Sequence, residues 1–316
     1  MLDAKKFFAF DTLPIDETKT IGVFTHPTGL RFDDEADFPW VSYTSLLSTQ
    51  EELEKQKKNL FDTGLQLGTT TLKFLYNNQI ASLEELVQKE YDKLEVVEHL
   101  VKLEEEIFYT MKIEGAKTTL ARTHALRNGA PIDKNNEYSE TMVKNGFDAV
   151  KYLNLYTGKF NEEILLELWR ILGNGVCDGL WIMGEKWRTA PVFIGEYEAI
   201  PFEQVPAAMA TFIDFYNEPI LSENAWLKAL LLHFAFEYVH PFSDCNGRTG
   251  RMIMNKFLID SGFDKIRAVS FTSQFDKERA RHDVAFIDSE NEILDCTPFL
   301  LFGLEALYRA MHSCNS

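Results

Sequence analysis

A histidine, a carboxylate, an amide and two guanidinium groups fall within one short stretch, His240-Pro-Phe-Ser-Asp-Cys-Asn-Gly-Arg-Thr-Gly-Arg251. His240 is the group there able to take up a proton near neutral pH. Asp244 is a hard oxygen ligand of the kind Mg²⁺ accepts while it also binds phosphate oxygens. Asn246 offers an amide donor for a phosphate oxygen. Arg248 and Arg251 are three residues apart, so on a helix they share one face. A loop of small residues feeding a helix N-terminus aims backbone N–H groups and the positive dipole end at one point, which is an anion site. Two guanidinium groups beside it suit a polyphosphate better than a single carboxylate. The chemistry on offer is a nucleotide site with a general base. Residue types alone equally allow a helix–loop–helix corner, with His240 a satisfied interhelical histidine and both arginines in salt bridges.

The flanking elements must hold this loop in place. Ser222 can cap a helix whose residues, 225 to 239, are apolar almost all round, the mark of a buried helix. It stops at His240-Pro241, because proline disfavours helical geometry in the residue before it. A second helix is expected from Arg248 to Ile259, with Gly262 as its C-cap. Upstream, a helical pattern runs from Ser48 to about Tyr76, interrupted by Gly64 and Gly68. Ser82 with Glu85 reads as a capping box for a further helix that stops near Glu114-Gly115. Glu104, Glu105 and Glu106 read as its solvated face. Helices are also expected from Glu140 to Leu155, Asn161 to Leu172 and Pro206 to Tyr216. One convincing strand region, Arg188 to Pro201, has two β-prone runs around Gly195-Glu196 and reads as a hairpin. A shorter hairpin is expected from Lys19–Thr25 and Gly29–Phe32, followed by an acidic loop, Asp33–Asp37. The expected architecture is a mostly α body over residues 81–310, preceded by an N-terminal extension over 1–80 with a short hairpin and a helix.

Composition narrows the partners. The 316 residues carry 32 Lys+Arg against 49 Asp+Glu, a formal charge of −17. That excess argues against nucleic acid and against anionic membrane surfaces, both of which are bound mainly through Lys and Arg. With 45% hydrophobic and 26% charged residues the chain can bury a core. No run reaches transmembrane length, and the N-terminus is too short in apolar residues for a signal-peptide core. Cys177, Cys245, Cys296 and Cys314 are scattered without a C-x-x-C pair. Reduced thiols in a cytoplasmic protein are expected.

The stretch from His240 to Arg251 resembles the signature of the Fic family, H-P-F-x-[D/E]-G-N-G-R-x-x-R. His240, Pro241, Phe242, Asp244, Asn246, Gly247, Arg248 and Arg251 match it, which makes coincidence negligible. The resemblance covers roughly residues 105 to 305. It implies a Fic-type helical core with a β-hairpin flap, and transfer of AMP from ATP to a Ser, Thr or Tyr hydroxyl of a target protein. By that likeness His240 would deprotonate the hydroxyl and Asp244 would hold Mg²⁺. Asn246, Gly247 and Arg248 would bind the phosphate chain, and Arg251 the γ-phosphate. Phe242 would be buried and anchor the loop. Val192, Phe193, Ile194 and Gly195 would form the flap that takes up the target's extended main chain. The likeness also allows the protein itself as a target, and Fic proteins often dimerise, but no interface is legible in this sequence.

Thr110-Met-Lys-Ile-Glu114-Gly115 resembles the inhibitory pattern [S/T]-x-x-x-E-[G/N] of autoinhibited Fic proteins with an N-terminal inhibitory helix. The likeness implies that Glu114 pairs with Arg251 and displaces the γ-phosphate. One departure stands out: Cys245 replaces the signature's glycine or alanine. If that position needs φ > 0, its Cβ costs on the order of 1 kcal/mol, which bears on activity and on nucleotide preference. The alternatives are removal of AMP, transfer of another phosphate-containing group at the same site, or an idle nucleotide-sensing scaffold.

Overall fold

In a computed structural model, residues 60–95, 99–177, 186–194, 197–219, 225–290 and 294–315 are described. The hairpin expected from Lys19 to Phe32, the acidic loop, the Ser222 cap and Gly195 lie outside them.

The first described element corrects the expected helix from Ser48 to Tyr76 over residues 61–74; residues 48–59 lie outside the described part. Strands β1 (Phe61–Leu67) and β2 (Thr70–Phe74) form an antiparallel hairpin that pairs Leu67 with Thr70 and Phe61 with Phe74. Leu65, Leu67, Leu72 and Phe74 alternate inward and are buried, the period of a strand with one face on the core. Gly64 and Gly68, read as interruptions of a helix, have positive φ of 73° and 67°. Gly68 opens the tight turn between the strands. The hairpin is tied to the far end of the chain: Lys73 N–H donates to the Leu294 carbonyl at 3.0 Å and Cys296 N–H to the Lys73 carbonyl at 2.9 Å. The strand residues join the same hydrophobic core as the helices that follow.

The helix expected from Ser82 to Glu114 is divided. Helix α1 (Asn78–Lys93) is capped by Asn77, whose side chain accepts from Ile80 N–H, so Ser82 and Glu85 lie inside it and cap nothing. Helix α2 (His99–Ile113) follows. The glutamate face is not solvated. Glu104 is buried and paired with Arg127 at 2.7 Å and His124 at 2.9 Å. Glu106 accepts from Ser270 Oγ at 3.0 Å and Thr272 N–H at 3.1 Å. Burial pushes its carboxyl up, opposed by those Thr272 and Ser270 hydrogen bonds.

Helices α3 (Leu120–Arg127), α4 (Glu137–Leu155) and α5 (Glu162–Gly173, capped by Asn161) come next. The expected hairpin is β3 (Phe193–Ile194) paired with β4 (Tyr197–Glu198). Helix α6 (Val205–Asn217) leads to α7 (Ala225–Val239), buried on nearly every face, and α8 (Asn246–Asp260) packs against it. Gly250 makes that approach close: a Cβ there would stand 3.1 Å from Glu237 Oε1 and 3.2 Å from Phe236. Helices α9 (Thr272–Lys277), α10 (Arg279–Ser289) and α11 (Thr297–Asn315) close the body, α11 running along α1. No described helix is long and apolar enough to cross a membrane.

Candidate active site

The loop between α7 and α8 is bracketed by two residues in left-handed backbone geometry, His240 with φ 48° and Cys245 with φ 69°. Neither is glycine, so each stores on the order of 1–2 kcal/mol of strain that the surroundings must hold. They do so by packing and hydrogen bonding. Phe242 is 1% exposed and stacks on Trp169 of α5 at 4.2 Å between ring centroids. The Trp169 indole donates to the Asp244 carbonyl at 3.1 Å. The Asn246 side chain accepts from Phe242 N–H at 2.9 Å and donates to the Phe242 carbonyl at 2.7 Å. The amide read as a phosphate donor is therefore committed to closing the loop, and the group Asn246 leaves for an anion is its backbone N–H at the start of α8. Phe242→Ala is expected to cost about 3–5 kcal/mol of stability, measured by urea unfolding.

The flap is clamped to the same loop by Arg188, a residue whose role sequence reasoning missed. Its Nε donates to the His240 carbonyl at 2.8 Å, its Nη1 to Ala190 at 3.2 Å and its Nη2 to the Ile200 carbonyl. Arg188 N–H also donates to Pro241 at 2.9 Å. An arginine directly before a β-prone run was the available signal, but its target, a row of carbonyls at the end of a buried helix, exists only after folding. Of the flap residues, Val192 accepts from Ala199 N–H at 3.1 Å, Phe193 is 64% exposed and Ile194 is half-buried.

His240 Nδ1 lies 3.2 Å from the Glu237 carbonyl. With Nδ1 protonated and donating there, Nε2 presents a lone pair. Burial pushes the imidazole down to about 4, partly opposed by the Glu237 contact, so it is neutral at pH 7. That is the form a general base requires.

The arginines line the start of α8. Arg248 is buried, and its Nη2 meets Asp244 Oδ1 at 3.2 Å while its Nε and Nη1 have no hydrogen-bond partner among the described residues. Arg251 is buried too, with Nε likewise unpartnered among the described residues and Nη2 donating to Glu114 Oε1 at 2.6 Å and to the Thr110 carbonyl at 3.3 Å. Buried guanidinium donors without partners are costly, and an anion is the group that satisfies them. Burial raises the Glu114 carboxyl, but Arg251 outweighs it and holds the group below the usual carboxylate range. A Cβ on Gly247 would sit 2.5 Å from Glu114 Oε1 and 3.0 Å from Arg251 Nη1. The glycine thus lets an acidic oxygen reach the N-terminus of α8, where the orphan N–H groups point. Thr110 is buried, its hydroxyl 3.1 Å from Thr272 Oγ1, and Gly115 ends α2 with φ 87°.

Asp244 is half-exposed, with Oδ1 accepting from Cys245 N–H at 2.5 Å. One accessible carboxylate beside a helix N-terminus fits Mg²⁺, which keeps several waters and takes few protein ligands.

Fold and site together define a helical protein that presents a histidine and a buried arginine pair around an anion-binding helix N-terminus. Residues 159–258 match the Fic/DOC family. It is 29% identical over 168 residues to a protein named protein adenylyltransferase fic-1 from Caenorhabditis briggsae, covering 51% of this chain and 32% of that protein. Against protein adenylyltransferase Fic from Nematostella vectensis the identity is 27% over 210 residues, 62% of this chain and 45% of the other. The chain thus spans 32% and 45% of the length of these two relatives. In fold it resembles a Fic family protein from Desulfovibrio desulfuricans, with a TM-score of 0.64, 21% identity and coverage of 76% of this chain and 75% of that one. Fic-1 from Caenorhabditis elegans gives 0.61 at 20% identity, covering 74% and 71%.

Proposed function

We propose that this protein transfers AMP from ATP to a hydroxyl side chain of a target protein, and that Glu114 holds the site inactive. The observation that carries the reading is the start of α8, where the unpartnered nitrogens of buried Arg248 lie beside an arginine already holding a carboxylate. The names of the relatives supply the group transferred.

In this reading the N–H groups at the start of α8 and the two guanidinium groups bind and orient the phosphate chain. His240 Nε2 accepts the proton of the incoming Ser, Thr or Tyr hydroxyl. The hydroxyl oxygen attacks the α-phosphorus in line, the bond to the β-phosphate bridging oxygen breaks, and pyrophosphate leaves. Most of the acceleration comes from positioning and from neutralising charge on the phosphates. Asp244 would hold Mg²⁺, which when bound neutralises phosphate charge. The β3–β4 flap takes the target main chain as an added strand, and Arg188 fixes that strand relative to His240. Glu114 opposes all of this by placing its own oxygen on Arg251 and against Gly247, where a phosphate oxygen has to go.

The test is incubation of Glu114→Gly with Mg²⁺ and ATP labelled at either the α- or the γ-phosphate. Protein-bound label is expected from the α position alone. Label from γ alone would replace the reading with phosphoryl transfer, and intact ATP binding without label would leave an idle sensor.

The acidity of His240 sets a pH prediction. Its folded value is depressed to about 4, so the base stays neutral as pH falls below the ordinary 6.5 and is lost only near 4. Initial rates for Glu114→Gly should hold between pH 7 and 5. A half-maximal rate near 6.5 would contradict the buried, neutral imidazole.

A further inference from the structure

The tertiary structure joins two cysteines that the sequence leaves 68 residues apart. Cys177, just beyond α5, has its Sγ 3.2 Å from Cys245 Sγ and 3.2 Å from Asp244 Oδ2. We propose that Cys177, Asp244 and Cys245 form a binding site for a thiophilic divalent cation of the Zn²⁺ class.

The three donor atoms lie within 4.8 Å of one another. Tetrahedral zinc with Zn–S bonds of about 2.3 Å holds two sulfurs roughly 3.8 Å apart, so the thiols need only part slightly to admit the ion. Two sulfurs and one carboxylate leave a fourth position for water or another ligand. The donor set discriminates against Mg²⁺, which prefers oxygen, and in favour of a softer ion.

Charge balance supports the site. Each thiol gives its proton to solvent as the cation enters, with no oxidation or reduction. Two thiolates and a carboxylate then supply three negative charges against the ion's two positive charges and the Arg248 guanidinium, which touches Asp244 through the other oxygen at 3.2 Å. Access is open, because Cys177 is half-buried and the Asp244 side chain is 52% exposed. Cys245 itself is buried in left-handed geometry at the N-cap of α8. Its side chain is aimed at Cys177 by a backbone conformation that glycine would adopt at no steric cost.

The consequence for the reaction rests on the proposed function: an ion held here takes Asp244 away from Mg²⁺ and competes with catalysis. Binding itself does not depend on that reading, and its test needs no nucleotide. The whole protein, kept reduced by a phosphine, is titrated with Co²⁺ as a spectroscopic stand-in for Zn²⁺. A thiolate-to-cobalt charge-transfer band is expected to saturate at one ion per chain and to be bleached by Zn²⁺. The band should be lost in Cys177→Ser and in Cys245→Gly, each checked for unchanged circular dichroism. No band in the wild type, or a band that survives in Cys177→Ser, overturns the proposal. Either result leaves the adenylyl-transfer reading standing, which is decided separately by the labelled-ATP experiment.

Discussion

Glu114→Gly is expected to raise incorporation of the α-phosphate label by roughly 10- to 100-fold over the unaltered protein. The reason is local. Glu114 Oε1 sits 2.6 Å from Arg251 Nη2, a charge-assisted hydrogen bond of the kind worth about 1.5–3 kcal/mol. Since 1.4 kcal/mol is a factor of ten in an equilibrium, removing that competitor converts into one to two decades of phosphate occupancy at Arg251. The side chain of Glu114 is 27% exposed, so solvent screening places the gain toward the lower end. The main chain can accept the change, because Glu114 follows the last residue of α2 and precedes Gly115, which already has positive φ. Glu114→Gln separates charge from shape. It keeps the volume and loses the charge, and should release part of the inhibition. The measurement is initial rate at fixed ATP; an unchanged rate in both variants would remove Glu114 from the account. Acid is not an alternative route to release. Arg251 keeps the Glu114 carboxyl below its ordinary value of 4.5, so the contact is present above that range and is lost only as pH falls through the lowered value. His240, depressed to about 4, is lost in acid as well.

His240→Ala, introduced into the Glu114→Gly background, is expected to reduce label incorporation by about 10²–10⁴-fold while leaving ATP binding intact. The imidazole contributes a lone pair rather than charge, because burial keeps it neutral. Its removal should therefore lower the rate constant and leave the affinity of the arginine pair for phosphates nearly unchanged. Binding measured by calorimetry alongside turnover checks this division. A parallel loss of binding would mean that the imidazole also shapes the loop through its Nδ1 contact with the Glu237 carbonyl. Alanine retains the Cβ, so the backbone cost at that position is unchanged between wild type and variant.

How much of this site was legible follows from how local each part is. The loop is a continuous run, and its spacing is enough to place His240, Gly247 and Arg248 at the end of one helix and the start of the next. The Glu114 contact is different. It joins residues 137 apart in sequence, and only the likeness to an inhibitory pattern pointed to it. Trp169, Arg188 and Cys177 were not assigned roles at all. Each acts on the loop from another element, Trp169 and Arg188 by donating to loop carbonyls and Cys177 through the Asp244 carboxylate. Apart from the arginine before the β-prone run, no spacing announces such contacts.

The same division runs through the fold. Helices α4 to α8 are readable because each carries its own signal: periodicity, a wholly apolar stretch, a proline stop. Residues 61–74 form strands against the helical expectation, because two glycines in a helical-looking pattern carry the same letters as glycines in a hairpin. What selects the strand is the partner, the Leu294–Thr297 segment that takes the Lys73 backbone bonds and caps Leu75 N–H with a threonine hydroxyl at 2.7 Å. Glu104 and Glu106 looked like solvated surface for a similar reason, since helical spacing says which residues share a face and not what that face meets. The loop and the helices on either side are legible in the chain's letters, because they depend on residues within a few turns of one another. That Glu114 occupies the arginine, that Asn246 closes the loop and that Cys177 stands against Cys245 are matters of the folded molecule. Those contacts form between chain segments brought together by burial of a shared core, and no local preference encodes them.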